Sequence, residues 1–181
     1  MWRYLLPATA VLALGGLLAF ALLRIGAGKL DVHEIKSPLI GRSAPSFNLP
    51  SVTDPTQRID SHALAGHVYV LNVWGTWCAA CREEHEALLA ISHTGGVPLV
   101  GIDWRDEPEL AVRYLAELGN PYQQVASDAD GRAAIDWGVY GAPETFLVSA
   151  QGTVLAKHIG PLSEAVWREK FVPLLPVGLG R

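Results

Sequence analysis

The sequence predicts an α/β domain built on a mixed sheet. Two observations carry that expectation: HVYVLNVWG at 67–75 and VPLVGIDW at 97–104 are dense β-branched and aromatic runs, and a segment of helical period follows each. A third is ETFLVSAQGTVLAKHIG, which reads as a hairpin around Gln151-Gly152. Strand, helix, strand and helix, then a hairpin and a last helix, is the order of an α/β fold with both parallel and antiparallel pairs.

Each element has its own signal. PSFNLPSV, starting at Pro45, alternates like a short edge strand. From Thr76 to Ile91 the period changes: Cys81, Ala87, Leu88 and Ile91 share one helical face, and Arg82, Glu83, Glu84 and Glu86 are expected to point away from it. EPELAVRYLAELG at 107–119 is an amphipathic helix closed by Gly119, and DADGRAAIDWG is a shorter helical turn region. SEAVWREKFVPLL reads as the final helix, with Ser163 as its N-cap.

Composition narrows the function. The chain has 181 residues, half of them hydrophobic, with 14 basic residues against 18 acidic ones and a formal charge of −4. Such a chain lacks the basic footprint of a nucleic-acid binder and is too apolar for a solvated coil. Part of the apolar excess is local, because residues 4–23 carry no charge between Arg3 and Arg24. At about 1.5 Å per residue a helix of that length spans the roughly 30 Å of a bilayer core. Residues 1–25 are therefore expected to form a transmembrane anchor, followed by a Gly-, Pro- and charge-containing linker at 26–44 and a folded domain at 45–181. A cleaved signal peptide competes, with Ala19-Phe20-Ala21 as its small-x-small site. The run outlasts the usual signal core of about 7–15 residues, which favours the anchor.

The two cysteines, Cys78 and Cys81, stand in WCAAC where the buried strand passes into a helix. A helix N-terminus presents unpaired N–H groups and positive potential, which favours a thiolate at Cys78, and Cys81 lies one turn on. The spacing thus suits a pair that cycles between dithiol and disulfide. Three other readings compete. A structural staple across so short a loop gains little chain entropy. A metal site needs further ligands, and the histidines at 33, 62, 67, 85, 93 and 158 show no paired ligand spacing. Two inert buried thiols fit poorly beside Trp77.

VLNVWGTWCAACREEH, with GVYGAPETFLV about sixty residues later, resembles the CcmG/DsbE family, membrane-anchored thioredoxin-like proteins of cytochrome c maturation. SAPSFNLPSV, GNPY at 119–122 and D-x-D-G at 128–131 extend the likeness over nearly the whole domain. One departure is Ala79-Ala80, where such proteins usually carry a proline. The resemblance implies a thioredoxin fold with an insertion near 104–136, a Cys78–Cys81 redox disulfide, and no cofactor or metal. It implies Cys78 as attacking thiolate, Cys81 as resolving thiol, and Pro143 in cis against the pair. Glu84 and Glu144 occupy positions where the family carries acids, candidates for moving the Cys81 proton. Trp77 is expected at a substrate-contacting rim and Trp74 in the core, with Glu83 and His85 on the helix surface. The implied partners are apocytochrome c or its maturation proteins, a membrane-embedded thiol donor, and the bacterial inner membrane with the domain in the periplasm. A TlpA/ResA-like reductant of another client and a copper(I) chaperone are the alternatives.

Overall fold

The computed structural model describes Thr9, residues 11–20, Leu23, residues 37–94 and residues 96–179. The chain separates into two compact units, Met1–Lys36 and Ser37–Arg181. In the first, Thr9, residues 11–20 and Leu23 are helical, and Leu12, Leu14, Leu17 and Phe20 are exposed. Among the described residues no helix is long and apolar enough to cross a membrane. Residues 1–8, 10, 21–22 and 24–25 of the expected anchor, and 26–36 of the expected linker, lie outside the described residues.

The second unit begins at Ser37 rather than near Pro45. Gly41 N–H donates to the Val154 carbonyl at 2.8 Å and Ala44 N–H to that of Gly152 at 2.7 Å, so residues 41–44 are tied to the hairpin and are part of the domain. A small antiparallel ribbon follows, β1 (Asn48–Pro50) with β2 (Arg58–Asp60). The main sheet has five strands in the order β5-β4-β3-β6-β7: β3 (Tyr69–Trp74), β4 (Leu99–Trp104), β5 (Gln124–Asp128), β6 (Glu144–Val148) and β7 (Val154–Ile159). Helix α1 (Ala79–His93) makes the crossover that lets β3 and β4 run parallel, and α2 (Pro108–Leu118) does the same for β4 and β5. Every residue of β3 and β4 is buried, as expected of β-branched runs covered on both faces.

Strand β5 is absent from the sequence reading. QVASD has one large aliphatic residue, Val125, and ends in Ser127 and Asp128, so it carries little strand propensity of its own. Its burial comes from position: it lies against β4, and Val52 N–H donates to the Val125 carbonyl at 2.9 Å, so the end of the β1 ribbon covers its outer edge. Asp128 then accepts from Ala133 N at 3.2 Å and Ala134 N at 2.9 Å, holding the first turn of α3 (Arg132–Asp136). The final helix is shorter than its period suggests. Ser163 Oγ accepts from Val166 N as expected, but α4 (Glu164–Val166) passes into a wider turn at Trp167–Phe171 and a tighter one at Val172–Leu174. Pro173, with no N–H to give, cannot extend a regular helix there.

Two apolar layers sandwich the sheet. Val70 and Trp74 of β3 and Leu147 of β6 pack against Leu88 and Ile91 of α1, Tyr114 of α2, and Trp167 and Phe171. On the other face Leu71, Val73, Ile102 and Phe146 meet Ala133, Ala134 and Trp137. Gly101 lets the first layer close. A Cβ there would lie 2.9 Å from Trp74 Nε1 and 3.1 Å from Tyr122 Cγ, against a ring stack with centroids 5.7 Å apart. Gly101→Ala is therefore expected to cost about 1–3 kcal/mol of stability, read by urea denaturation. An unchanged midpoint would contradict this packing.

Candidate active site

Three neighbouring strands end together where α1 begins. The register pairs Trp74 with Asp103 on β4 and Val73 with Glu144 on β6, which puts Pro143 level with Trp74. The chain leaves β3 through residues 75–77 and enters α1 at Cys78. Cys78 caps the helix: it has extended backbone angles, and its Sγ accepts the Cys81 N–H at 3.0 Å. Cys78 and Cys81 are joined by a disulfide, and both residues are buried. The Ala142-Pro143 bond is cis, as the resemblance implies.

Trp77 and Trp74, neighbours in sequence, do different things. Trp77 is 53% exposed, its indole donates to the Trp104 carbonyl at 3.1 Å, and its ring lies 5.8 Å from that of Trp104. Gly75 permits this posture, since a Cβ there would meet Trp77 Nε1 at 2.5 Å. Trp74 is buried between Tyr114 and Tyr122. Thr76 N–H donates to the Asp106 carboxylate, a second tie between the loop before Cys78 and the turn after β4. Burial first, then the charge of Asp106, pushes the Asp103 carboxyl up to about 8.

Glu84 departs from its expected place on the solvated face. It lies on the buried face of α1, three residues past Cys81, and is 1% exposed. Asn72 Nδ2 donates to its Oε1 at 2.9 Å and Leu162 N–H to its Oε2 at 2.7 Å. Asn72 also donates to Thr145 Oγ1 at 3.0 Å and accepts from the Tyr122 hydroxyl at 2.7 Å. Burial raises the Glu84 carboxyl to about 7 against the pull of its two N–H donors, and burial holds the Tyr122 hydroxyl protonated as a donor. Asn72 thus positions a carboxyl group without being an acid itself. Its part, with those of Tyr122 and Thr145, is missing from the sequence reading, although an amide inside a fully buried strand has to find partners.

His85 also departs from the surface. It is buried, with Nε2 3.0 Å from the Gly119 carbonyl and its ring edge-on to Tyr114. Glu83 is exposed. Glu144 does not join Glu84. Strand alternation turns it to the layer of Phe146, where Oε2 meets Lys157 Nζ at 2.7 Å and Oε1 accepts from Tyr140 N at 3.3 Å. Among the described residues no group of three or more His, Cys, Asp or Glu side chains is placed to hold a metal ion.

A disulfide capping the first helix after the central strand, beside a cis-proline, makes this a thiol:disulfide oxidoreductase of thioredoxin-like fold. The Redoxin family pattern matches residues 39–170. The thiol:disulfide interchange protein DsbE of Allochromatium vinosum is 42% identical over 173 residues, 96% of this chain and 92% of that one. DsbE of Escherichia coli K12 is 40% identical over 171 residues, covering 94% and 91%. Among solved structures, a thiol:disulfide interchange protein of the thioredoxin family from Chlorobium tepidum is 30% identical, with a TM-score of 0.58 over 68% of this chain and 88% of that one. The chain belongs to the DsbE family of thiol:disulfide interchange proteins.

Proposed function

We propose that the chain is a membrane-anchored reductant working outside the bacterial cytoplasm, and that it reduces disulfides in apocytochrome c or its maturation partners before haem attachment. The observation that carries this reading is the likeness to DsbE-named relatives along nearly the whole chain, amino-terminal apolar run included. The exposed apolar side chains of residues 11–20 suit a lipid-facing helix.

The site supports a two-step exchange. The Cys78 thiolate, favoured by the Cys81 N–H and the α1 N-terminus, attacks one sulfur of a substrate disulfide. A Cys78–substrate bond forms and the other substrate sulfur leaves as a thiolate. Cys81 then gives its proton to the Glu84 carboxylate and attacks Cys78 Sγ, so the second substrate thiolate departs and the Cys78–Cys81 disulfide remains. Two electrons pass to the substrate. They are restored by a thiol donor in the membrane, since the glycines form no GxGxxG after a strand with which to hold a nicotinamide.

The direction of flow is tested by the redox potential of the pair. It is expected nearer about −270 mV than about −120 mV, where each 30 mV is about 1.4 kcal/mol. A value at the oxidising end would make the chain a disulfide donor and overturn the reading. The client is tested by trapping: in cells carrying Cys81→Ser, Cys78 should hold an apocytochrome c or a maturation protein as a mixed disulfide, and a copper-site protein there instead would overturn the cytochrome assignment.

A further inference from the structure

Lys157 is an unusual lysine. It sits on β7, the last strand of the sheet, yet its side chain is only 4% exposed. It pairs across the ladder with Phe146, so its side chain lies on the same face as Phe146 and Glu144. The ammonium meets Glu144 Oε2 at 2.7 Å and donates to the Gly138 carbonyl at 2.9 Å. It also lies 5.2 Å from the Tyr140 ring centroid and 5.1 Å from that of Phe146. Glu144 in turn receives the Tyr140 N–H. Both groups of the ion pair thus grip one stretch of chain, residues 138–143, which ends at the cis-proline.

That stretch is otherwise held at its two ends, where Gly138 N–H donates to the Ile135 carbonyl, Val139 N–H to that of Ala134 with the Val139 side chain buried, and the Pro143 carbonyl accepts from Gly160 N–H. Gly138 and Tyr140 are exposed, Tyr140 at 60% although its ring rests near the ammonium. A buried ion pair is weak support for stability, because desolvation offsets most of the attraction. What it does well is select one conformation: a loop shaped otherwise leaves Lys157 and Glu144 paired with each other but strips the Gly138 carbonyl and the Tyr140 N–H from two groups that stay buried.

We propose that Lys157 is a positioning residue for substrate binding: held between the Glu144 carboxylate and the Gly138 carbonyl, it fixes residues 138–143 in the shape that offers Tyr140 and Pro143 to an extended segment of the protein being reduced. This rests on the reading of the chain as a reductant of protein disulfides. It assigns Glu144 to the loop, as the counter-charge of Lys157, and leaves the Cys81 proton to Glu84.

The test uses the reduced full chain in detergent, recycled by dithiothreitol, with a synthetic peptide disulfide of C-x-x-C-H spacing as substrate. Lys157→Met alone leaves a buried carboxylate unpaired and destabilises the fold. The diagnostic variant is therefore Glu144→Gln with Lys157→Met, which leaves neither charge behind and keeps an acceptor for the Tyr140 N–H. It should unfold at a urea midpoint close to that of the unaltered chain, with KM for the peptide raised about tenfold and kcat within about twofold. An unchanged KM, whether or not the apparent kcat falls with the folded fraction, overturns the assignment. If the unaltered chain does not speed reduction of the peptide above the rate with dithiothreitol alone, the reductant reading itself fails.

Discussion

Cys78→Ser should leave no disulfide reduction above the uncatalysed rate, while Cys81→Ser should stop the cycle one step later with substrate bound to Cys78. The difference follows from helix geometry. Cys78 is the cap, its Sγ accepts the Cys81 N–H at 3.0 Å, and it adjoins the exposed Trp77 rim. Cys81 lies one turn in, on the face of α1 that packs with Leu88 and Ile91. Helix potential and the amide donor both favour negative charge on Cys78, so its apparent pKa should fall below the free-thiol value of about 8.5. In the reduced chain an alkylating agent should then modify Cys78 first, giving a singly labelled product that mass spectrometry after digestion assigns. Equal rates at the two thiols would remove the distinction between attacking and resolving roles.

The sequence makes the site's address legible and leaves its interior hidden. WCAAC at a strand-to-helix passage, the buried β3 and β4, and the 144–159 hairpin all follow from local pattern, because burial and period coincide there. The failures share one cause. Glu84 and His85 look like surface residues because charge is a guide to exposure only when no partner waits inside. Here Asn72 and Leu162 receive the first, and Gly119 with Tyr114 the second. Those partners come from β3, from the turn before α4 and from the end of α2, separations that no helical period encodes. Strand β5 escapes for the same reason, since its partners supply what QVASD lacks. The Glu144–Lys157 pair was half legible: Glu144 stands beside a recognisable proline, whereas Lys157 looks like an ordinary edge-strand lysine until the register sets it across from Phe146.

Glu84→Gln should slow release of substrate from the mixed disulfide by about 10²-fold, the usual contribution of a positioned acid–base group. With its carboxyl raised to about 7, Glu84 is partly ionised at neutral pH and can take a thiol proton that a carboxylate of ordinary pKa would accept poorly. The same property has a stability signature. The ordinary value is 4.5, so between pH 4.5 and about 7 the folded chain holds a proton that the unfolded chain has released. Stability is fullest below that window and falls as pH rises through it, by about 3 kcal/mol in all. Asp103, raised from 3.8 to about 8, adds a fall of the same sign over an overlapping window. Glu84→Gln should abolish the first component and leave the second, so urea midpoints at pH 5 and pH 8 should converge without becoming equal. Absolute stability is a poorer guide. Both Glu84 oxygens accept N–H donors, from Asn72 and Leu162, and a glutamine must turn its own N–H₂ toward one of them, at a cost of about 1–3 kcal/mol. A Glu84→Gln variant with the original pH slope would show that the carboxyl titrates in its ordinary range, and the Cys81 proton would then need another acceptor. The nearest alternative by register is Asp103, level with Trp74 at the same end of the sheet, and Asp103→Asn should in that case carry the loss of rate.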